Sequence, residues 1–264
     1  MAPTSIDGTD ISSVTIDGTE VQEITADGQV VYTSGPDIPD SALFGWPFDE
    51  GSSTSVADEI GNEDGTVNGA TWVTGDYEGG AALDGDGTDD RIETTKWGDF
   101  GSSKFLNDWS IAFTVDNMTG AGNIGGTIAD NTSNGHYMFF SVGGRTVDVP
   151  EFRLRDENTT RAEVSGSTAI NDGGKYRVFM GKSGNNPEDF DIYVNNSQES
   201  VTVEVDDGTL SSMIDFQNAV AFLSSNSGGG FGNFADATLD YPIVYESAPT
   251  SGLVSDDYNL QPWS

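Results

Sequence analysis

Apolar and polar side chains alternate in short runs along this chain. In residues 109–115, the large apolar side chains of Trp109, Ile111 and Phe113 are separated by small residues. A period of two predicts strands with one face turned toward a core. The same pattern predicts further strands at residues 136–142, 151–155, 175–180, 190–196 and 239–245.

Glycine, aspartate and asparagine interrupt these runs roughly every eight to twelve residues, most regularly in residues 43–93. Short strands cut by turn residues at this spacing are typical of β-sandwiches. No helical periodicity competes with the pattern. The chain contains 34 glycines, near twice the usual share of about 7%, which agrees with many tight turns. The sequence therefore predicts an all-β fold.

The first 34 residues contain a repeat of about ten residues, in which Asp-Gly pairs recur at residues 7–8, 17–18 and 27–28. Asp-Gly favours the two-residue type I′ turn because both turn residues need positive φ. The repeat predicts a small β-meander. A lone sheet of this size is marginal in water, so we expect it to dock on a partner or on a second copy of the chain.

A short segment with two prolines, residues 34–40, follows the repeat and predicts a linker. We place the domain boundary there. Residues 1–37 are predicted to form the docking and oligomerisation module, and residues 38–264 the sandwich.

The charge balance is strongly acidic, with 44 Asp and Glu against 10 Lys and Arg and a formal net charge of -34. Self-repulsion of this size opposes a compact fold at low ionic strength, whereas at molar salt the Debye length falls to about 3 Å. The composition predicts a protein of a high-salt environment, with an acidic secreted domain of ordinary salt tolerance as the alternative. A uniformly acidic surface also argues against nucleic-acid binding.

Several classes of protein are excluded or disfavoured by what the sequence lacks. With no cysteine, disulfides and thiolate metal sites cannot form. No apolar run approaches the roughly 18 residues of a membrane span, and the first residues lack the basic and apolar regions of a secretory signal. We therefore expect no membrane insertion. The missing signal has two explanations: a virion component that is made in a host cytoplasm and released by lysis, or a chain whose signal has been removed, which the start at Met1 disfavours.

The pieces of residues 43–93 resemble, in order, the opening of laminin-G-like, concanavalin A-like jelly rolls. They are an aromatic strand that ends in Phe-Asp-Glu-Gly, an Asp-x-x-Gly-Asn-x-x-Gly loop at residues 58–65, a Gly-Ala-Thr-Trp strand and the segment 82–90. Residues 239–253 resemble the closing strand and corner of the same family. One departure is Pro242, which removes a ladder donor and is expected at an edge or a bulge. The resemblance implies a jelly-roll sandwich over about residues 42–258.

The N-terminal repeat resembles the small N-terminal segments of tail and decoration proteins of viruses, including viruses of salt-loving archaea, where such a segment docks on the particle or on a symmetry mate. The resemblance implies a virion structural protein, in a tail, fibre, spike or capsid decoration, that displays its jelly roll for adhesion to a host glycan or glycoprotein. It also implies a homo-oligomer that contacts other virion proteins through residues 1–37. The alternative is a secreted or cell-surface carbohydrate-binding module of a halophilic microbe. The ligand-binding residues are not predicted.

Catalysis is the third hypothesis, and it is disfavoured. Polysaccharide-cleaving relatives carry a Glu-x-Asp-x-Glu strand, and the most similar run here, residues 204–208, ends in Gly208 instead of the second glutamate. Retaining glycosidases need two carboxyl groups about 5 Å apart. The one histidine, His136, has no second histidine or cysteine beside it in the sequence and is interpreted as structural. We predict that the protein is not an enzyme.

Calcium is the predicted ion, because it accepts carboxylate and carbonyl oxygens from flexible loops. In the resembled family a calcium often lies against the loop after the first strand, near the closing strand. This implies Asp58, Asn62 and Asp64 as ligands, with Asp240 as a further one. Ordinary Asx turns are the alternative. The acidic loop 84–90 fails the EF-hand pattern, since its sixth position is Asp89 and its twelfth is Thr95.

Four of the six arginines lie between residues 145 and 161. This clustering has two interpretations: a basic patch for an acidic subunit or an anionic sugar, and ion pairs with Glu151, Glu157 and Glu163 on a solvated sheet face. The ion pairs are favoured, because surface arginines usually pair with nearby acids.

Overall fold

The computed structural model describes residues 38–75, 80–94, 97, 104–128, 135–212, 219–226 and 231–260, together with the backbone of paired strands between residues 5 and 33. Strands dominate these residues, and the described helical elements are one helix, α1 (Ser251–Asn259), and one turn of 3-10 helix (Pro187–Asp189). None of the described helices is long and apolar enough to span a membrane.

The N-terminal segment contains three antiparallel hairpins, formed by β1 (Ser5–Ile6) and β2 (Thr9–Asp10), β3 (Thr15–Ile16) and β4 (Thr19–Glu20), and β5 (Glu23–Ala26) and β6 (Gln29–Thr33). Each pair flanks one Asp-Gly, although the turns themselves lie outside the described residues. Within the described strands, each hairpin is a separate two-stranded sheet. The predicted single meander is therefore wrong in its pairing, because each described strand pairs only with the other strand of its own hairpin. The predicted boundary after residue 37 stays a prediction.

The rest of the strands form the sandwich. They are β7 (Ala42–Gly45), β8 (Ser55–Val56), β9 (Gly65–Asn68), β10 (Thr71–Thr74), β11 (Ala81–Asp86), β12 (Arg91–Glu93), β13 (Trp109–Asp116), β14 (Gly122–Ile128), β15 (Tyr137–Val142), β16 (Pro150–Arg155), β17 (Arg161–Ser165), β18 (Tyr176–Lys182), β19 (Phe190–Val194), β20 (Ser197–Gln198), β21 (Thr202–Asp206), β22 (Ala221–Phe222), β23 (Ser225–Asn226), β24 (Phe231–Gly232) and β25 (Asp236–Tyr245).

These strands form two large sheets. The back sheet has the order β10-β11-β25-β13-β18-β19-β20, with β7 also paired to β25. The front sheet has the order β21-β17-β16-β15-β14-β22-β12-β9-β8, with β23 beside β14 and β24 beside β23. Nearly all the pairings are antiparallel. The predicted all-β jelly-roll sandwich is confirmed, and so are the six strands predicted from alternation.

A continuous apolar core fills the space between the sheets. Trp109 of the back sheet packs edge-on against Phe152 of the front sheet, with ring centroids 5.2 Å apart. Trp46 and Trp97 stack at 5.8 Å, and both are fully buried. Burial of one such side chain contributes about 1.5–3 kcal/mol, so these contacts between distant segments explain why the chain closes into one sandwich.

The closing strand β25 lies in the middle of the back sheet, between β11 and β13. Its register against β13 shifts between Ala112 and Thr114, and this shift places Pro242 at a bulge, as predicted. Tyr241 has φ 34° at the same point. The carbonyl of Pro242 accepts a hydrogen bond from the backbone N–H of Trp46 at 3.1 Å.

Helix α1 covers the outer face of the back sheet. Thr250 caps its start, accepting a hydrogen bond from the backbone N–H of Leu253 at 3.2 Å. Val254 and Leu260 pack on a second apolar cluster, which also includes Phe179 and Tyr245. The alternation of residues along the back sheet thus buries both of its faces.

Candidate functional site

The predicted calcium ligands fall into two groups. Asp58 is 7% exposed, and its carboxylate accepts hydrogen bonds at 2.8–3.1 Å from four backbone amides, those of residues 45, 60, 61 and 63. Its own N–H donates to Asp64 Oδ1 at 3.0 Å. Asn62 and Asp64 are exposed in the same loop. These hydrogen bonds to Asp58 fix the shape of the loop. They agree with the alternative to a calcium site, in which the loop residues form Asx turns.

Asp240, the fourth predicted ligand, lies on the closing strand β25. It is buried, pairs in register with Thr114, and its charge acts on Arg177. Calcium at the loop stays a prediction. A melting temperature that calcium raises and a chelator lowers, with both effects lost in Asp58→Ala, would support it.

The acidic loop after β11 contains a cluster that the sequence analysis did not select. Carboxylate oxygens of Asp86, Asp89 and Asp90 lie within 4.8 Å of one another, the one such group of three in the described residues. Burial, followed by the charges of the neighbouring aspartates, raises the pKa of Asp90. The backbone N–H of Asp86 donates to Asp90 Oδ2 at 3.0 Å. Turn formation accounts for these contacts.

The outer face of the front sheet has a different character from the covered face of the back sheet. Alternation along β16 turns Phe152 and Leu154 into the core and turns Glu151, Arg153 and Arg155 outward, as predicted. The prediction of a solvated face is wrong at one point, because Glu151 is 0% exposed. Its burial results from the connection between β15 and β16.

That connection, residues 143–149, folds over the outer face. The backbone N–H groups of Arg145 and Thr146 both donate to Glu151 Oε1. Gly144 lies so close that a Cβ there would be 2.6 Å from Glu151 Oε2 and 3.1 Å from a terminal nitrogen of Arg153. A larger residue at position 144 would collide with the side chains of Glu151 and Arg153, so glycine is needed there.

Glu163 is the charged centre of the face. It is 0% exposed and its Oε2 lies 2.5 Å from Arg145 Nε and 3.4 Å from Arg153 Nε. Tyr137 donates its hydroxyl to Oε1 of the same carboxylate. Burial alone would raise the pKa of Glu163, but these bonds and the arginine charges outweigh it and lower that pKa. The carboxylate is therefore held ionised between two guanidinium groups.

Two aromatic rings hold Arg153 in place. Tyr137 and Phe139 stack at 5.0 Å, and the guanidinium carbon of Arg153 lies 5.8 Å and 5.6 Å from their ring centroids. Burial and the bond to Glu163 raise the pKa of Tyr137 to about 12. Tyr137 is thus a neutral hydrogen-bond donor over the whole ordinary pH range.

A pocket of about 270 Å³ opens beside Arg153. It is lined by residues 121–123, residues 141–144, Arg153 and Asn233. Asn123 is 5% exposed, and the N–H of Asn123 donates to the carbonyl of Asn233 at 2.9 Å. Among the described residues, neither asparagine side chain has a hydrogen-bond partner. The pocket therefore offers two amide groups and a guanidinium to a ligand.

Ion pairing is confirmed for three of the four arginines of the predicted cluster, with partly different partners, whereas the described hydrogen bond of Arg155 goes to the carbonyl of Gly135 at 3.4 Å. Arg145 and Arg153 pair with Glu163, and Arg161 pairs with Asp207 at 2.6 Å. Glu151 is bound by backbone amides instead of an arginine. Glu157 has no described ion pair with these arginines.

Glu204 is the bulged residue where β21 pairs with β17, between partners Val203 and Val205. Its Oε1 accepts hydrogen bonds from the hydroxyls of Ser165 and Thr146, and these lower its pKa. Asp206 and Asp207 of the same run are exposed. His136 is half-buried just before β15.

Sequence reasoning missed the pocket and the buried state of Glu151. The available signal was weak: Gly143-Gly144 directly after a strand indicates a turn, but not which surface the turn covers. The segments around residues 122, 142 and 233 meet only through sheet pairing and loop closure.

The sandwich is similar to solved structures of low sequence identity. The binding domain of Paraclostridial Mosquitocidal Protein 1 is 15% identical, with a TM-score of 0.61, over 84% of this chain and 53% of that one. The receptor binding domain of botulinum neurotoxin C/D mosaic serotype is 12% identical, with a TM-score of 0.58, over 83% and 51%. Trypanosoma rangeli sialidase in complex with the inhibitor DANA is 10% identical, with a TM-score of 0.54, over 90% and 35%.

These similarities establish the class of fold, a β-sandwich of the jelly-roll kind. The chain spans about half the length of the toxin binding domains and about a third of the sialidase. No protein-family model matches the sequence, and no curated protein matches it. The fold is therefore established, and function has to be argued from the site.

Proposed function

We propose that this chain is a non-enzymatic binding domain that attaches to a glycan or glycoprotein through the pocket beside Arg153. The pocket on the outer face of the front sheet carries the proposal, because its polar groups have unused hydrogen-bonding capacity. Its volume of about 270 Å³ is just below the roughly 300 Å³ of the smallest drug-sized sites, which suits a single sugar ring. Two of the similar structures are themselves named binding domains.

The carboxylates of the face support binding over hydrolysis. A general acid in a glycosidase needs a raised pKa, whereas hydrogen bonds lower the pKa values of both Glu163 and Glu204. Both oxygens of Glu163 already accept hydrogen bonds or ion pairs. Absence of cleavage on a polysaccharide panel at molar salt is the expected result.

A substitution that fills the pocket tests the proposal. Ala121 is exposed and lines the pocket, so Ala121→Trp blocks it without entering the core. Thr74→Trp is the matched control, since Thr74 is exposed on edge strand β10 of the other sheet. On a glycan panel at molar salt, the wild type and Thr74→Trp should bind the same sugars, and Ala121→Trp should bind at least about tenfold more weakly. Equal binding by all three rejects the pocket.

We propose further that the domain belongs to a virion of a high-salt host, as a tail, fibre, spike or capsid decoration. The charge of -34 and the N-terminal hairpins, each too small to be stable alone, support this. Association through residues 1–37 would multiply weak sugar contacts by multivalency. Light scattering at molar salt should show an oligomer for the full chain and a monomer for a chain that starts at residue 38.

A carbohydrate-binding module of a halophilic microbe is the alternative to a virion protein. Flanking capsid or tail genes would decide between these two functions.

A further inference from the structure

Arg153 has hydrogen-bonding capacity that the fold does not use. Its described contacts are the ion pair of Nε with Glu163 and the two aromatic rings. Within the part of the chain that the structure describes, no hydrogen bond is made by its two terminal nitrogens. The side chain is 21% exposed and lines the pocket. One edge of the guanidinium is therefore anchored, and the other edge is available to a ligand.

Arg153 shares its carboxylate partner with another arginine. Among the described residues, Glu163 is the carboxylate paired with Arg153, and it lies closer to Arg145, at 2.5 Å against 3.4 Å. The other carboxylate nearby, Glu151, accepts hydrogen bonds from two backbone N–H groups, and its Oε2 lies 3.5 Å from the hydroxyl of Ser141. The described ion pair of Arg153 is therefore made at Nε alone, and the two terminal nitrogens remain at the pocket wall for a ligand.

The geometry also limits the kind of group that fits. A planar guanidinium presents two parallel N–H groups, which match a carboxylate at both of its oxygens. The rings of Tyr137 and Phe139, whose centroids lie 5.8 Å and 5.6 Å from the guanidinium carbon, restrict the motion of the side chain, so less entropy is lost when a ligand binds. Asn123 and Asn233 lie on the same pocket and can bind hydroxyl groups, both as donors and as acceptors.

We infer that the pocket is selective for a carboxylate-bearing sugar, such as a hexuronic acid, with the carboxylate on Arg153 and ring hydroxyls on the asparagines. This inference rests on the proposed glycan-binding function and names its ligand class. A direct contact between a guanidinium and a carboxylate is about 2.7–2.9 Å long, which is no longer than the Debye length of about 3 Å at 1 M salt. Molar salt therefore screens this contact less than it screens long-range attraction.

The test compares matched acidic and neutral sugars on the full chain. Methyl glucuronide and methyl glucoside differ only in the carboxylate, and binding to each is measured by saturation-transfer NMR and titration at 1 M NaCl. The wild type should prefer the glucuronide by about tenfold or more. Arg153→Gln should remove that preference, because it should weaken the binding of the glucuronide far more than the binding of the glucoside.

Two variants serve as controls. Arg161→Gln removes an arginine of the same face that pairs with Asp207 and does not line the pocket, and it should keep the preference. Arg153→Lys keeps the positive charge but loses the two parallel N–H groups of the guanidinium, and should retain only part of the preference. Melting temperatures show whether each variant is folded.

The outcomes separate the two proposals. Equal binding of both sugars by the wild type, or an unchanged preference in folded Arg153→Gln, overturns the acidic-sugar inference and leaves glycan binding intact. Binding of neither sugar, with no binding on the glycan panel, overturns both.

Discussion

The outer face of the back sheet is covered by α1, whereas in the part of the chain that the structure describes the outer face of the front sheet is bordered by the loop 143–149 and opens into a pocket. Both faces contain a buried arginine–carboxylate contact. On the back sheet, Arg177 is 2% exposed and bonds Asp257 at 2.6 Å and 2.8 Å. On the front sheet, Arg153 keeps an accessible edge.

The two arginines differ in the groups that accept hydrogen bonds from their guanidinium nitrogens. Arg177 also donates to the carbonyl of Tyr241 at 2.8 Å, and Asp257 accepts the hydroxyl of Tyr245 at 2.6 Å. The described groups that bond Arg177 at 2.6–2.8 Å, the carboxylate of Asp257 and the carbonyl of Tyr241, both belong to this chain. A satisfied buried network stabilises one arrangement of helix and sheet, while an arginine with unused donors at a pocket is suited to a ligand.

The largest expected effect is on the covered face. Arg177→Met leaves Asp257 buried without its cation, and loss of one partner of a buried pair costs about 3–5 kcal/mol. Urea denaturation should show a loss of this size in the free energy of unfolding. The double variant Arg177→Met, Asp257→Leu should recover most of it, because apolar replacements of buried pairs are often tolerated.

Arg161→Met is the matched control for that experiment. Its pair with Asp207 is exposed, at 37% and 40% of the two side chains, and exposed pairs contribute about 0–1 kcal/mol. If Arg177→Met and Arg161→Met destabilise the protein equally, the buried network does not hold α1 as described.

Salt should change the stability of the whole chain by an intermediate amount. The net charge of -34 is screened as the Debye length falls from about 30 Å at 10 mM to about 3 Å at 1 M. We expect about 2 kcal/mol of stabilisation, roughly 4 to 8 °C in melting temperature for a chain of this size. A melting curve that is the same at both concentrations would contradict the proposed high-salt origin.

A smaller effect is expected from pH, through a second buried cation of the back sheet. Lys182 Nζ donates to the carbonyl of Asn107 at 2.6 Å and to Asn185 Oδ1 at 2.9 Å, and burial lowers its pKa to about 8. Between pH 8 and pH 10.5 the unfolded chain holds this proton and the folded chain releases it. Stability from this group therefore rises with pH across that window.

The comparison with Lys182→Met isolates this titration from that of the tyrosines. From pH 8 to pH 9.5, the free energy of unfolding of the wild type should rise by about 1.5 kcal/mol relative to Lys182→Met. Parallel pH profiles for the two proteins would show that Lys182 has an ordinary pKa in the folded state.

The sequence predicts the strands far better than it predicts their surroundings. Alternation at Trp109, Phe152 and Ile243 reflects burial between layers and is local, so the strand assignments are confirmed. Helix α1 was missed because only Val254 and Asp257 of its residues are buried, which leaves no apolar stripe to detect. The chain order also gives no sign that Asp257 pairs with a residue 80 positions away.

The candidate site shows the same limit. The outward position of Arg153 follows from alternation, but its stacking depends on Tyr137 and Phe139 of the neighbouring strand, and its pocket on three separate segments. Single-residue patterns identify which side chains share a face. They do not reveal whether a loop or a helix then covers that face.

Mapping of backbone amide shifts on a bound sugar tests the central claim most directly. With ¹⁵N-labelled full chain and methyl glucuronide at 1 M NaCl, the perturbed amides should be those of residues 121–123, 141–144, 153 and 233 on the front sheet. The amides of α1 and of the loop 58–64 should be unchanged. Perturbations confined to α1, to the back sheet or to the loop 58–64 would show that the ligand site is not on the front face.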